Sequence, residues 1–224
     1  MISAIHPIPA FTDNYICATS EADSRQVCVV DLDDEQPAIE YLESNDRQLS
    51  SILITHQHTG GIQALTKRYF WRVAGPRSSR IKEIREFKPE GDSTPLFGQS
   101  LFIIETPCHT LYHIAYCAED ENQIDSIIFC GDTFLATDCS WLFAGLAKIT
   151  HESLGEAPIL LTKTRACCIH EYTMANFQFA TVADAENDAL IERIELEKTK
   201  RVIKQPTLFS NIELELAKNL LSLQ

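Results

Sequence analysis

Side chains that bind metals stand directly after four apolar runs of the sequence. His56 and His58 follow the run SILIT in the motif THQHTGG, and His109 follows SLFIIETPC. Asp132 follows SIIFCG, and His170 ends RACCIH. Short runs of apolar and β-branched residues predict strands. Strand ends in layered α/β folds gather at one edge of the sheet, where ligand sites form. We therefore expect these side chains to belong to one site.

The spacing of these residues is typical of a catalytic metal site. A His-x-His pair at a strand end can present two imidazoles to one ion, and a third imidazole gives a site with one coordination position left for water. The carboxylate of Asp132 can orient that water, ligate the ion or bridge to a second ion. A single histidine at a strand end is usually a surface residue, so the prediction rests on the four strand ends together. His113 is interpreted as a hydrogen-bonding neighbour of the site, and His6 and His151 as ordinary structural residues.

The cysteines offer a weaker alternative, in which one of them is a nucleophile. Cys108 directly precedes His109, and Cys167 and Cys168 lie just before His170. Neighbouring residues of a strand point to opposite faces of the sheet, so adjacency alone does not pair Cys108 with His109. The eight cysteines are scattered through apolar runs without the spacing of a disulfide framework. We expect them to be reduced thiols of the core.

The elements that must position these residues are short strands and helices, whose order predicts an α/β fold. The tail after residue 173 has apolar residues at near-helical spacing and no strand signal before Pro206. A last helix is expected over 210–224, with Ser210 or Asn211 as its N-cap. These patterns predict an α/β domain over 1–173 and a helical appendage over 174–224. Strands are predicted over 15–20, 26–31, 51–55, 100–106, 113–119, 126–132 and 165–170, and helices over 37–45, 62–70 and 149–155.

Composition and charge exclude several classes of protein. Hydrophobic residues make up 45% of the 224 residues and charged residues 23%, as in ordinary globular proteins. The formal net charge of −13 disfavours binding to nucleic acid or to anionic lipid. No apolar run approaches the ~20 residues of a membrane span, and the N-terminus lacks the basic start of a secretory signal. We expect a cytoplasmic protein without nucleic acid or membrane partners.

Residues 67–88 form a basic stretch that contrasts with the acidic chain. They contain eight Lys and Arg residues against Glu83 and Glu86. The simpler interpretation is a solvated helical face, and the alternative is a docking surface for a protein partner.

Six motifs follow one another along the chain: FTDNY (11–15), THQHTGG (55–61), TPCHTLYH (106–113), FCGDT (129–133), WLFAG (141–145) and CCIHEYT (167–173). In this order they resemble the metallo-β-lactamase superfamily, and specifically glyoxalase II, the hydroxyacylglutathione hydrolases. The resemblance extends from residue 5 to about residue 210, and its most specific part is HEYT followed by N-x-x-F-A at 170–180. It implies a four-layer αββα sandwich with a helical C-terminal domain. It also implies a two-metal site that hydrolyses the thioester S-lactoylglutathione, with water activated by metal attacking the carbonyl.

The metal loop departs from the family pattern, which reads T-H-x-H-x-D-H-x-G-G. The loop THQHTGG is three residues shorter and lacks the Asp and His that bind the second metal. Two remaining protein ligands make a poor zinc site, so we expect one zinc ion rather than two. Iron, manganese and a site without metal stay open. The resemblance implies that the first metal is bound by His56, His58 and His109, that Asp132 is the bridging ligand and the catalytic residue that orients the water, and that His170 remains for the second metal.

The substrate side of the site also departs from the family. Cys108 and Tyr112 stand where the family has glycines, and Trp141 stands where it has an Arg or Lys that contacts glutathione. Tyr172 keeps the main glutathione-contacting position, and Phe143 is a partial match. The sequence ends ahead of the family's basic glutathione-binding segment, so a truncated C-terminal domain is expected.

These departures leave two hypotheses. In the first, the chain is a hydrolase with one metal ion, weakened or re-targeted to another small-molecule thioester or ester. In the second, it is a pseudoenzyme that keeps the fold with one metal ion or none and acts by binding a partner. Metal content and thioester hydrolysis distinguish the two.

Overall fold

Each half of the chain builds one of two sheets in the computed structural model, which describes residues 1–57, 60–68, 72–77, 80–107, 110–118, 126–133, 163–183, 187–211 and 213. Within these residues each sheet has six strands, in the orders β1-β2-β3-β4-β5-β6 and β12-β11-β10-β9-β8-β7. The strands of the first sheet are β1 (Ile2–Ala10), β2 (Asn14–Glu21), β3 (Gln26–Val30), β4 (Gln48–Leu53), β5 (Arg72–Gly75) and β6 (Glu86–Phe87). Those of the second are β7 (Ser93–Leu96), β8 (Gln99–Glu105), β9 (Ile114–Ala118), β10 (Ile127–Gly131), β11 (Arg165–Cys168) and β12 (Phe209–Asn211). The helices are α1 (Glu35–Ser44), α2 (Ile62–Arg68), α3 (Thr173–Ala183) and α4 (Asp188–Val202).

Parallel pairs in both sheets bring several strand ends to one edge. In the first sheet β3, β4, β5 and β6 pair in parallel, and in the second β10 pairs in parallel with β11. The other pairs are antiparallel. Because parallel strands finish on the same side, polar residues that follow them are collected there.

The two sheets pack face to face through an apolar core. Leu53 of the first sheet packs in one buried cluster with Tyr116 and Phe129 of the second. The Tyr116 hydroxyl lies 2.9 Å from the carbonyl oxygen of Ile54 and 3.1 Å from that of Ala74. A side chain of the second sheet is therefore hydrogen-bonded to the backbone beside the strands of the first.

Further apolar clusters cover the outer faces of the sheets. Leu42 of α1 and Leu65 of α2 pack on the first sheet with Ile52. On the second sheet, Ile128 packs with Leu208, which precedes β12. Helices α3 and α4 follow β11 and share a small apolar cluster of their own.

Most of the local sequence predictions are confirmed, and the start of the last helix is corrected. Each of the seven predicted strands, and the helices predicted over 37–45 and 62–70, overlaps an observed element. Residues 209–211 form β12, which pairs with β11, so the predicted last helix does not begin with Ser210 as its N-cap. Glu213 is helical, as predicted for 210–224, and the residues that follow lie outside the described part of the chain. The helix predicted over 149–155 lies outside the described residues, and the domain division at residue 173 stays a prediction.

The described cysteines are buried and form no disulfide with one another, as predicted: Cys17, Cys28, Cys117, Cys130, Cys167 and Cys168. None of the helices in the described part of the chain is long and apolar enough to cross a membrane.

Arg72 and Lys88, two cations of the basic stretch, have acidic partners inside the molecule. The Arg72 guanidinium binds both carboxylate oxygens of Glu86, at 2.6 and 2.8 Å, and donates to the Thr94 hydroxyl at 2.9 Å. Because Arg72 is in β5 and Thr94 in β7, the guanidinium joins the two sheets. Lys88 lies 3.2 Å from Asp92. Docking of a protein partner on residues 67–88 stays a prediction.

Candidate metal centre

His56, Asp132 and His170 meet where strands of both sheets end. His56 follows β4 of the first sheet, and Asp132 and His170 follow the parallel strands β10 and β11 of the second. The two sheets are also joined here by backbone hydrogen bonding. The Tyr15 N–H of β2 donates to the Ile169 carbonyl at 2.8 Å, beside His170. The centre therefore lies at the junction of the two sheets.

One oxygen of Asp132 contacts two imidazoles. Its Oδ2 lies 3.4 Å from Nε2 of His56 and 3.3 Å from Nε2 of His170. The side chains of His56 and Asp132 are almost completely buried, at 1% and 2% exposure, and that of His170 is 17% exposed. A carboxylate oxygen and a ring nitrogen at this distance need a proton or a cation between them, because both are otherwise acceptors.

A chain of hydrogen bonds fixes the ring of His56. The N–H and the hydroxyl of Thr55 each donate to Asp31 at 2.8 Å, and Thr55 Oγ1 lies 2.9 Å from Nδ1 of His56. Because the single hydroxyl hydrogen goes to Asp31, Nδ1 of His56 is assigned as the donor to Thr55. Nε2 is then unprotonated and faces Asp132, which is the tautomer that a metal ligand needs.

We expect Thr55→Val to weaken the binding of zinc. The substitution keeps the shape of the side chain but removes the hydroxyl that orients His56, and loss of such a contact typically lowers metal affinity by about 10–100-fold. A chelator competition titration measures the change. Thr19→Val is the matched control, because the buried Thr19 hydroxyl donates to the Ala4 carbonyl within the pair β1–β2. Equal zinc affinity of the two variants would contradict this role of Thr55.

Asp132 is itself held by His113. The Asp132 N–H donates to Nε2 of His113 at 3.3 Å, and Nδ1 of His113 lies 2.9 Å from the hydroxyls of Thr106 and Thr133. Both ring nitrogens of His113 are therefore used in hydrogen bonds inside the protein. His113 positions Asp132, in agreement with its interpretation from the sequence.

Tyr172 lies beside His170, with its ring stacked on the imidazole. The ring centroids are 4.8 Å apart and the planes differ by 11°. Burial raises the pKa of the Tyr172 hydroxyl, and the nearby Asp13 carboxylate raises the pKa further. Tyr172, predicted from the sequence to contact substrate, is thus placed next to the metal centre.

Two further buried acids, Asp31 and Asp33, lie near Asp132. Burial raises the pKa of Asp31 to about 8 and that of Asp33 to about 6, and the charge of Asp132 raises both further. Hydrogen bonds from Thr55 to Asp31 oppose the shift. Burial alone would lower the pKa of His170, but its hydrogen bond and charge interaction with Asp132 raise the pKa overall. The carboxyls of Asp31 and Asp33 and the imidazole of His170 therefore bind protons readily when no cation is present. A divalent cation bound nearby would displace these protons.

Sequence reasoning missed Asp31 and Asp33. They stand in the segment VVDLDDE, whose acidic residues are typical of a turn that leads into a helix. The pattern that identified the histidines was nevertheless present, because Asp31 directly follows the apolar strand β3 and Asp33 stands two residues further on. Thr55 was missed because a hydroxyl that orients a ligand has no spacing signature.

The donors that the structure brings together fit a divalent ion chemically. Imidazole nitrogens with carboxylate oxygens suit zinc, iron or manganese. Within the described residues alone, however, no group of three or more His, Cys, Asp and Glu side chains is placed so that it could hold a metal ion. The predicted ligands His58 and His109, the predicted substrate contact Phe143, and Cys108 and Trp141 lie outside the described residues.

Solved structures show the class of fold. ETHE1 from Myxococcus xanthus superposes with a TM-score of 0.71 at 18% identity, over 97% of this chain and 84% of that one. A metallo-β-lactamase from Staphylococcus aureus gives 0.70 at 15% identity, over 99% of this chain and 64% of that one. TTHA1623, solved in a di-iron-bound form, gives 0.64 at 15% identity, over 96% and 98%. The chain has the metallo-β-lactamase fold, and the predicted α/β fold class is confirmed.

Sequence comparison gives the family within that fold. A family profile described as "Hydroxyacylglutathione hydrolase C-terminus" matches residues 171–221. A hydroxyacylglutathione hydrolase from Chromohalobacter salexigens is 41% identical over 209 residues, which cover 92% of this chain and 81% of the relative. One from Pseudomonas aeruginosa strain LESB58 is 39% identical over 219 residues, covering 96% and 84%. The chain belongs to the hydroxyacylglutathione hydrolase family.

Proposed function

We propose that this chain is a metal-dependent thioester hydrolase of the glyoxalase II type. The proposal rests on the contact of one Asp132 oxygen with Nε2 of both His56 and His170. The contact brings donors of both sheets together although the loop after His56 is short. Family membership supports S-lactoylglutathione as the first substrate to test.

The residues that would hold one ion are His56 and Asp132, with His58 and His109 as predicted ligands outside the described residues, and His170 would remain beside Asp132 for a second ion. A divalent ion among such donors lowers the pKa of a water ligand and polarises the thioester carbonyl. We take zinc as the first ion to test and iron and manganese as the alternatives.

The protein's own side chains position the reactants. Asp132 is buried, so its charge acts with little screening on any water or proton near its Oδ2. Its remaining acceptor capacity can orient the water that attacks the thioester carbonyl. Tyr172 is half-buried beside His170 and offers its ring and hydroxyl to the thiol part of the substrate. The Asp31–Thr55 pair keeps the His56 ring from turning.

Metal content and hydrolysis test this proposal together. Protein produced with zinc, iron and manganese is expected to retain at least one ion per chain, measured by elemental analysis, and to hydrolyse S-lactoylglutathione or a smaller thioester. His56→Ala should lose the ion. His6→Ala is the matched control, because His6 stacks on Tyr41 away from the centre. A folded wild-type chain without metal and with equally negligible rates on all thioesters would instead favour a non-catalytic role.

Charge gives an expected preference among thioesters. The formal net charge of −13 repels an anionic glutathione thioester, and added salt screens this repulsion. We therefore expect kcat/KM for S-lactoylglutathione to rise with ionic strength, while kcat/KM for a neutral thioester stays nearly constant. The same salt dependence for both substrates would contradict this role of charge.

A further inference from the structure

A cavity of about 510 Å³ opens beside the metal centre, and the proposed reaction leaves it without a role. It is lined by residues of both sheets. Pro76 follows β5 and Phe87 ends β6 of the first sheet, and Leu111 and Tyr112 precede β9 of the second. Small-molecule sites commonly have volumes of roughly 300–1,000 Å³. The cavity is therefore large enough for part of a substrate.

His113 connects this cavity with the centre, because it lines the cavity and also holds Asp132. Its ring is stacked on that of His56, with the ring centroids 5.2 Å apart. Tyr172 is instead stacked on His170, the other imidazole that contacts Asp132. The cavity and Tyr172 thus adjoin different members of the centre. A thioester whose carbonyl lies at Asp132, and whose thiol part lies on Tyr172, leaves its acyl part for the cavity.

Three large apolar side chains of the cavity are exposed. Phe87, Leu111 and Tyr112 are 52%, 60% and 55% exposed. Exposed apolar side chains gathered in one concave surface are typical of ligand-binding grooves, because a ligand that covers them removes apolar surface from water. Two of the three are aromatic, and aromatic rings are further stabilised by offset or edge-to-face contact with another ring. The cavity therefore favours a ligand group that contains an aromatic ring.

The charged residues of the cavity balance one another. Lys88 is nearly buried, and its ammonium group lies 3.2 Å from Asp92 and donates to the Ser93 carbonyl at 2.9 Å. Arg77 is exposed, and Glu105 adds a carboxylate to the lining. Beyond the Lys88–Asp92 pair, the lining therefore carries one positive and one negative charge. This balance gives no net preference for a charged ligand.

We propose that this cavity binds the acyl group of the thioester, and that it selects an uncharged acyl group with an aromatic ring over the small lactoyl group. The proposal deepens the proposed function and rests on it, since the thioester carbonyl must lie at the metal centre for the acyl group to enter the cavity. Phe87 and Tyr112 would contact the ring and determine specificity. Tyr112 stands where the family has a glycine, which has no side chain to form such a wall.

The test compares hydrolysis of the N-acetylcysteamine thioesters of phenylacetate and acetate, which differ only in the aromatic ring. We expect the wild-type kcat/KM to be at least about tenfold higher for the phenylacetyl thioester, because the ring is removed from water and contacts two aromatic side chains. In Phe87→Ala and Tyr112→Ala this ratio should fall about tenfold, whereas Tyr112→Phe should keep it because the ring remains. Both positions are exposed, so the variants should fold.

Phe102→Ala is the matched control, because Phe102 is an exposed phenylalanine of β8, at 47%, outside the described lining of the cavity. It should keep the wild-type ratio. Binding is measured separately by an NMR titration with the corresponding phenylacetyl amide, in which nitrogen replaces the thioester sulfur, so that no hydrolysis is needed. Wild type and Phe102→Ala should bind this amide about tenfold more tightly than Phe87→Ala does.

The outcomes separate this proposal from the proposed function. Equal kcat/KM for the two thioesters, or a ratio that Phe87→Ala and Tyr112→Ala leave unchanged, would overturn the cavity proposal while the hydrolase proposal stands. A succinyl thioester preferred over the phenylacetyl thioester would also overturn it, since a carboxylate would then be selected through Arg77. If no thioester is hydrolysed, the hydrolase proposal fails and the NMR titration decides on the cavity: binding lost in Phe87→Ala supports it as a ligand site, and equal binding rejects it.

Discussion

Asp132→Asn is expected to abolish hydrolysis and to lower the affinity for a divalent ion by at least about 100-fold, the upper range seen when a supporting group of a metal site is lost. The substitution keeps the volume of the side chain but removes the negative charge between His56 and His170. The metal-free variant should stay folded, because the loss also relieves repulsion with the buried Asp31 and Asp33. Elemental analysis and thermal unfolding with and without zinc measure both effects.

Asp46→Asn is the control for the general effect of removing an acid. Asp46 pairs with Arg25 on the surface, away from the strand ends that form the centre. The Asp46→Asn variant should have the metal content and the rate of hydrolysis of the wild type. Retention of a full zinc ion by Asp132→Asn, with wild-type stabilisation on zinc addition, would show that Asp132 does not take part in the centre.

Gly131→Ala is expected to lower the free energy of unfolding by roughly 2–5 kcal/mol, combining left-handed backbone strain with overpacking. Gly131 has a φ of +50°. A Cβ there would collide with Thr55 Oγ1 and lie 2.9 Å from Nε2 of His113. These two side chains hold His56 and Asp132, so zinc binding should be lost as well. Urea unfolding and a zinc titration measure the two effects.

The variant Gly98→Ala separates the effect of backbone strain from the effect of overpacking. Gly98 also has a positive φ, of +74°, but no atom lies within 4 Å of the position of its Cβ. The variant should lose only about 1–2 kcal/mol from backbone strain, with zinc binding intact. Equal destabilisation of the two variants, or normal zinc binding by Gly131→Ala, would mean that the neighbours of Gly131 move aside without effect.

Strand β1 shows where reading the sequence for strands fails. Pro7 and Pro9 interrupt the apolar N-terminus and argue against a strand there, yet Ile2–Ala10 pairs with β2 along its length. Proline is tolerated because β1 lies at the edge of its sheet and has one partner. Alternate backbone N–H groups of such a strand face away from the partner, so prolines at alternate positions remove no bond between the strands. Only the position of β1 at the edge of its sheet shows that these prolines are compatible with a strand.

The part of the candidate site that could be predicted from the sequence is the part marked by a local pattern, an apolar strand followed by a side chain that can bind a metal. His56, Asp132 and His170 each follow an apolar strand, and the structure brings these three together. Asp33 was not predictable as part of the same group, because its link to His170 runs through Asn14, which is distant in sequence from His170. A contact across the junction of two sheets produces no periodic pattern of residues in the sequence. His113 was predicted as a hydrogen-bonding neighbour of the site, but its two hydroxyl partners were not, because they lie on other segments.

The division of the chain into one sheet per half has a consequence for synthesis on the ribosome. All six described strands of the first sheet precede the first strand of the second, so Leu53 has no second sheet to pack against while residues after 92 are still being made. Chains fold from the N-terminus as they emerge, and exposed apolar faces at that stage are prone to aggregate. His170 leaves the ribosome long after His56, so no ion can join the two sheets until most of the chain has emerged. Until then, Leu42 of α1 and Leu65 of α2 cover one face of the first sheet, and the face that carries Leu53 stays uncovered until the second sheet is made.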